Sequence, residues 1–206
     1  MSRQNRVTPL GEIIATPARG TLMGNRGCLH DVNQRVIRSS ARPQWITCAL
    51  KFKSIQRTLM SPGEYTELFF LDEATALAAG HRPCGECRRE RLRAFQSAWA
   101  TGVAGAPGSR ILVDVIDTVL KNERHLRSGS RSTFRSVLGD LPDGAMLVRS
   151  SLPLLKWQGR LYRWSPGGYT GSEQLDPDSY ADVLTPPSTM KVLQAGYVPE
   201  VHPSAN

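Results

Sequence analysis

Histidine and cysteine are scarce in this chain, four of each in 206 residues. Any metal site therefore has few candidate ligands. Long apolar runs are missing. None approaches the roughly 18 residues of a membrane span. Leu10–Ala15, behind the polar Met1–Arg6, is too short for a secretory signal core. A cytoplasmic protein without a membrane partner is expected, where a Cys-x-x-Cys is read as metal-binding or catalytic rather than as a disulfide. The chain has no Walker loop, dinucleotide fingerprint, nucleophile elbow or His-Glu-x-x-His. The zinc-deaminase signature is missing too, because no His-x-Glu precedes the Cys-x-x-Cys. Internal repeats and low-complexity tracts are also lacking. Acidic side chains are outnumbered, 18 against 26, for a net charge of +8. The surplus is local: residues 1–100 hold 15 basic and 8 acidic side chains, the remainder 11 and 10.

What is present centres on Ala79-Gly80-His81-Arg82-Pro83-Cys84-Gly85-Glu86-Cys87-Arg88-Arg89. Two residues between the cysteines let both sulfurs converge across a tight turn on one ion, as zinc–sulfur bonds near 2.3 Å require. Cys28 and Cys48 would complete a four-thiolate zinc site. Cys48 lies in the alternating stretch Gln44–Lys53, on one face with Ile46 and Leu50. Two histidines compete as ligands. His30, two residues beyond Cys28, is the alternative to it; His81 reads as a ligand or a phosphate contact. His125 and His202 fall away from the site. Arg82, Arg88, Arg89, Arg91 and Arg93 surround the motif and are the expected phosphate contacts, with a solvated helix face as the plainer reading.

The remaining patterning predicts an α+β fold in two parts. Residues 1–104 form a basic zinc-binding domain, and residues 105–206 an α+β region of short strands and helices packed on it. Residues 1–20, with Pro9, Gly11, Pro17 and Gly20, read as an irregular arm, and Thr21–Arg38 as a hairpin. Glu64–Leu71 reads as a strand. Asp72 suits a helix N-cap, Glu73–Ala79 is strongly helical, and Gly80 fits the position that ends such a helix. A second helix from about Arg88 to Ala100 lines up Leu92, Phe95 and Trp99. Ile111–Arg127 shows Leu112, Val115, Ile116 and Val119 at helical spacing, and Ser128–Ser132 is loop-like. Strands are expected at Ala145–Arg149, Leu154–Trp157 and Arg160–Trp164, the last two joined by a tight Gln158-Gly159 turn. Thr185 caps a final helix that opens with proline and closes at Gly196.

Leu71 through Arg88, and above all Gly80–Cys87, resembles the second half of the Ada-type metal-binding domain that begins bacterial methyl-phosphotriester repair proteins. The likeness spans about residues 45–95. It implies a four-cysteine zinc site that contacts the DNA backbone and whose first cysteine accepts a methyl group. Two departures stand out. The family's closely spaced first cysteine pair is replaced by Cys28 and Cys48, with 19 residues between them, and its phenylalanine by His81. The chain also resembles a group of bacterial proteins through Gly24–Asp31, Tyr65–Cys84 and Leu184–Thr189, a likeness that implies no activity.

Other chemistry is sparse. Asp114 and Asp117 share a helix face that reads as solvated. Glu67 beside the knuckle could serve as a general base, although glutamates such as Glu64, Glu67 and Glu73 more often pair with arginines. Tyr162, Trp164 and Tyr169 among Arg160 and Arg163 could stack on bases, or be core. Three functions stay open: a zinc protein binding nucleic acid, DNA above all; a nucleic-acid repair or processing enzyme with a methyl-accepting thiolate; and a structural zinc module for protein interaction.

Overall fold

The computed structural model describes residues 2–54, 58–124 and 132–205. Along the chain run β1 (Gln4–Val7), β2 (Ile13–Ala15), β3 (Leu22–Asn25), β4 (Ile46–Ala49), β5 (Leu68–Phe70), α1 (Glu73–Ala78), β6 (Arg82–Pro83), α2 (Arg89–Gly102), α3 (Val113–Arg124), β7 (Phe134–Val137), β8 (Met146–Arg149), β9 (Leu152–Trp157), β10 (Arg160–Ser165), β11 (Gly168–Gln174), β12 (Tyr180–Val183) and α4 (Pro187–Gln194). Among the described residues, β1–β6 form a mixed sheet in the order β2-β1-β5-β3-β4-β6, and β7–β12 a second sheet in the order β11-β10-β9-β8-β12-β7. The class is α+β, as the patterning predicts. No helix among these residues is long and apolar enough to cross a membrane.

The short helix α1 sits where the layers meet, and all six of its residues are buried. Leu71, Ala74 and Ala78 pack on Met146, Leu155, Tyr162 and Tyr169 of the second sheet. Ala76 and Ala79 pack on Val7, Leu22, Leu68 and Phe70 of the first. Leu77 meets Phe95 and Trp99 of α2 and Ile116 and Leu120 of α3. A helix covered on every side has no polar stripe, and alanine lets two sheets approach it closely. Two of these clusters join residues from both sides of position 104. The C-terminal region therefore packs on the N-terminal one through shared cores.

The ends of α1 are made as the sequence indicates. Asp72 Oδ1 accepts from Thr75 N at 2.9 Å and from Thr75 Oγ1 at 2.7 Å. Its other oxygen accepts from Tyr169 Oη at 2.8 Å and His202 N at 3.0 Å. Burial pushes the Asp72 carboxyl up, and those donors oppose the shift. Gly80 follows at φ +83°, where a Cβ would meet Arg124 Cγ at 2.8 Å.

Glu73, fully buried in the first turn, ties α1 to α2 and to the chain beyond α4. Its carboxylate accepts from Arg88 Nη1 at 3.0 Å, Tyr197 Oη at 2.6 Å, Arg91 Nη2 at 2.5 Å and Glu200 N at 2.9 Å. The arginine partners expected for a glutamate near the knuckle are therefore found at Glu73.

Several local expectations are corrected. Residues 1–20 are not wholly irregular, because β1 and β2 pair as a hairpin and β1 runs parallel to β5. Thr21–Arg38 is not one hairpin. Its first limb, β3, pairs with β4 and β5, and its second contributes an isolated bridge, His30 to Val36. Helix α3 begins after Leu112 and turns Ile116 and Leu120 inward, leaving Leu112 and Val115 exposed. Thr185 does not cap α4. Its Oγ1 accepts from Met146 N at 2.9 Å, and Pro186 holds the cap position. Tyr162 and Tyr169 are core residues, and Trp164 donates to Thr75 Oγ1 at 3.1 Å. The Gln158-Gly159 turn joins β9 to β10 as predicted, both residues at positive φ. His125 and most of the 128–132 loop lie outside the described residues.

Removing the Glu73 carboxylate takes from the buried Arg88 guanidinium its one buried carboxylate partner and leaves it the exposed Glu200. Breaking one side of a buried pair costs about 3–5 kcal/mol. Denaturant unfolding of Glu73→Ala is expected to show a loss of that size. A loss under about 1 kcal/mol, the scale of a surface pair, would contradict the linking role.

Candidate metal centre

The centre is assembled by the pairing of β4 with β6. These strands run parallel, with Ile46 opposite Arg82 and Thr47 opposite Pro83. The ladder continues through Arg82 N to Trp45 O at 3.1 Å and Cys84 N to Thr47 O at 2.8 Å. Alternation along β4 sends Thr47 toward the α1 side and Cys48 to the opposite face, where the Cys84–Cys87 turn curls over it. Arg88 N then bonds Cys84 O at 3.2 Å and leads into α2.

The result is one group, Cys48, Cys84 and Cys87, whose sulfurs all lie within 4.8 Å of one another. Backbone donors point at them: Glu86 N to Cys84 Sγ and Ala49 N to Cys87 Sγ, each at 3.4 Å. Such donors stabilise negative sulfur and orient thiolate ligands. The donor set fits a thiophilic cation.

Among the thiols themselves, a hydrogen bond with Cys48 draws Cys84 down to about 5, helped by the backbone N–H groups of Cys87 and Glu86. Cys48 moves the other way, raised by that same bond with Cys84 and by burial. Burial also raises Cys87. The cluster thus places its first negative charge on Cys84.

A cavity of about 300 Å³ opens over the sulfurs. Its walls are mostly apolar and include Met23, Ile46, Phe52, Tyr65 and Phe69, with Asn25, Glu67 and Glu86 as polar residues. Asn25 Oδ1 accepts from Gly27 N at 2.8 Å and from the Arg42 guanidinium. Glu67 is buried, and its Oε2 accepts from Met60 N at 2.8 Å.

The fourth cysteine of the sequence-derived ligand set is placed elsewhere. Cys28 is not in the group, and its thiol faces His30 O at 3.7 Å. It follows β3 and the Gly27 turn, so it is carried past the end of the strand that flanks Cys48. The histidine alternatives are used otherwise. His30 Nδ1 meets Thr66 Oγ1 at 2.6 Å and its Nε2 meets Ser61 O at 3.2 Å. His81 is fully buried, receives Arg26 Nε at 3.1 Å and packs against Trp45 and Phe70.

The arginines expected at phosphate divide into two sets. Arg82 grips Asp117 with two bonds, 2.9 and 2.7 Å, and both side chains are buried. Asp117 is therefore no solvated helix residue. Arg88 is buried between Glu73, Thr47 and Glu200. Arg91 spends its guanidinium on Glu73, Val198 O and the Tyr197 ring. Only Arg89 and Arg93 of the five are exposed. A groove beside Cys87 carries Arg88, Arg89 and Arg91, but also Glu86, Glu90 and Glu200. The cavity, with Glu67 in its wall, is the feature that spacing alone does not reveal.

With metal stripped by a chelator, the rate of Cys84 alkylation should rise through a midpoint near pH 5, because the thiolate is the nucleophile and forms above that pH. Peptide mapping after iodoacetamide pulses measures it. A Cys84 midpoint near pH 9 would contradict the cluster electrostatics. Compared with protein-family models, curated proteins and solved structures, the chain matches none.

Proposed function

We propose that this chain is a metalloprotein that holds one zinc ion on Cys48, Cys84 and Cys87 and offers the remaining coordination position to a ligand from the cavity. The supporting observation is the convergence of three sulfurs beneath that cavity, with no fourth Cys, His, Asp or Glu in the group among the described residues. Structural zinc sites close with four protein ligands, whereas sites that act on ligands keep three and leave one position open. Such an ion supplies a Lewis acid at the cavity floor. The protein contributes the thiolates, the N–H groups that orient them, and a mostly apolar wall that limits water.

A second reading keeps nucleic acid, DNA in particular, as the partner. It is supported by the basic surplus of residues 1–100 and by the exposed Arg89 and Arg93. It ranks second because Arg82 and Arg88 are committed to internal carboxylates and the groove beside Cys87 is mixed in charge. Within that reading, the methyl acceptance implied by the Ada-type resemblance would fall on a clustered thiolate such as Cys48 rather than on Cys28.

Metal analysis of the purified chain is expected to find one zinc per chain. Cys48→Ser, Cys84→Ser and Cys87→Ser should each lose it, while Cys28→Ser retains it. Loss in Cys28→Ser equal to the others, or no metal in the wild type, would overturn the primary reading. For the second reading, affinity for duplex DNA should fall steeply with salt, and Arg89→Gln with Arg93→Gln should flatten that slope. A salt-independent affinity would remove it.

A further inference from the structure

Resting on the open metal position proposed above, we infer that the ligand is a small, mostly apolar molecule carrying an amine, with a neutral donor atom at the metal and its cationic end at Glu67. Strand pairing supports this arrangement. Phe69, Met23 and Cys48 form one row across β5, β3 and β4. Glu67 comes just before β5, on the Phe69 face and one row along. Cys48 and Glu67 thus stand two inter-strand spacings and one row apart, about 12 Å at the backbone, and both line the same cavity.

Glu67 as a residue is only 2% exposed. One oxygen takes the Met60 N–H; the other has no donor among the described residues. Among the described residues no cation pairs with it, and a buried carboxylate so placed is costly, so a cation arriving from the cavity is favoured there. The charge at the other end agrees. Three thiolates on a divalent cation leave one negative charge, and Glu67 adds a second. Glu86 at the rim is matched by Lys53 at 3.9 Å. An anion entering here is repelled twice, and a cation attracted twice. Met23, Phe52, Tyr65 and Phe69 line the same cavity and suit an apolar or aromatic body. The volume, about 300 Å³, lies at the low end of ligand pockets, so the ligand is small.

The test uses the full chain loaded with cobalt(II), whose visible bands report the coordination sphere. Three probes share one metal donor: imidazole, histamine, which adds an ammonium, and imidazole acetate, which adds a carboxylate. Histamine should bind about tenfold or more tighter than imidazole, the return on a hydrogen bond between charged groups, and imidazole acetate more weakly than imidazole. Glu67→Gln should erase the histamine advantage while leaving cobalt uptake and imidazole affinity unchanged. Equal binding of the three probes, or a histamine preference that survives in Glu67→Gln, overturns the inference while the metal reading stands. If the variant takes up no cobalt, the ranking of the probes on wild-type protein decides. A wild-type chain that takes up no cobalt overturns the metal reading and this inference with it.

Discussion

The cluster of Cys48, Cys84 and Cys87 depends on two residues of β6 lying parallel to β4. That pairing is short, and by itself it would be marginal. It is held from behind by Arg82, whose bidentate bond to Asp117 anchors β6 to α3, and by Arg124, which reaches Gly80 O at 3.0 Å and Pro43 O at 2.8 Å. Gly80 turns the chain out of α1 in the left-handed region and brings it to the sheet edge. Without that sharp exit the Cys84–Cys87 turn could not reach Cys48. The chemistry of the knuckle is thus inseparable from the helix that precedes it.

The treatment of positive charge follows from the same construction. Arg26, Arg82, Arg88 and Arg124 are all buried. Arg26 and Arg124 stack on Trp45 at 3.8 and 4.2 Å, and Arg82 and Arg88 neutralise Asp117 and Glu73. A guanidinium can do this because its planar fork satisfies several acceptors and its face packs on aromatic rings. Three of the 15 basic side chains in residues 1–100, Arg26, Arg82 and Arg88, therefore serve as internal bracing around the centre. A net charge counted along the sequence overstates the cationic surface that a polyanion would meet.

What could be read from the sequence was local. Asp72 as cap, Gly80 as stop, the Leu92-Phe95-Trp99 stripe and the Gln158-Gly159 hairpin each depend on neighbours within a few residues, and each is found. The Cys84–Cys87 pair was legible for the same reason. That Cys48 joins it and Cys28 does not was not legible, because this depends on which strand lies beside β6. The fate of Arg82 was equally hidden, since its carboxylate stands 35 residues away at Asp117, whereas Arg88 meets the nearby Glu73 as well as Glu200, 112 residues away. Asp117 looked solvated because helical spacing fixes a stripe without saying which buried cation will face it. The cavity wall draws on β3, β4, β5 and the Cys84–Cys87 turn, a convergence that no single segment displays.

The central claim is a metal bound by three sulfurs with its last position open to the cavity. X-ray absorption at the zinc edge of the metal-loaded chain measures this most directly. The account predicts three sulfur scatterers at about 2.3 Å and one lighter oxygen or nitrogen scatterer at about 2.0–2.1 Å, the latter responding to a ligand added from solution. A closed shell of four sulfurs, indifferent to added ligand, would contradict it.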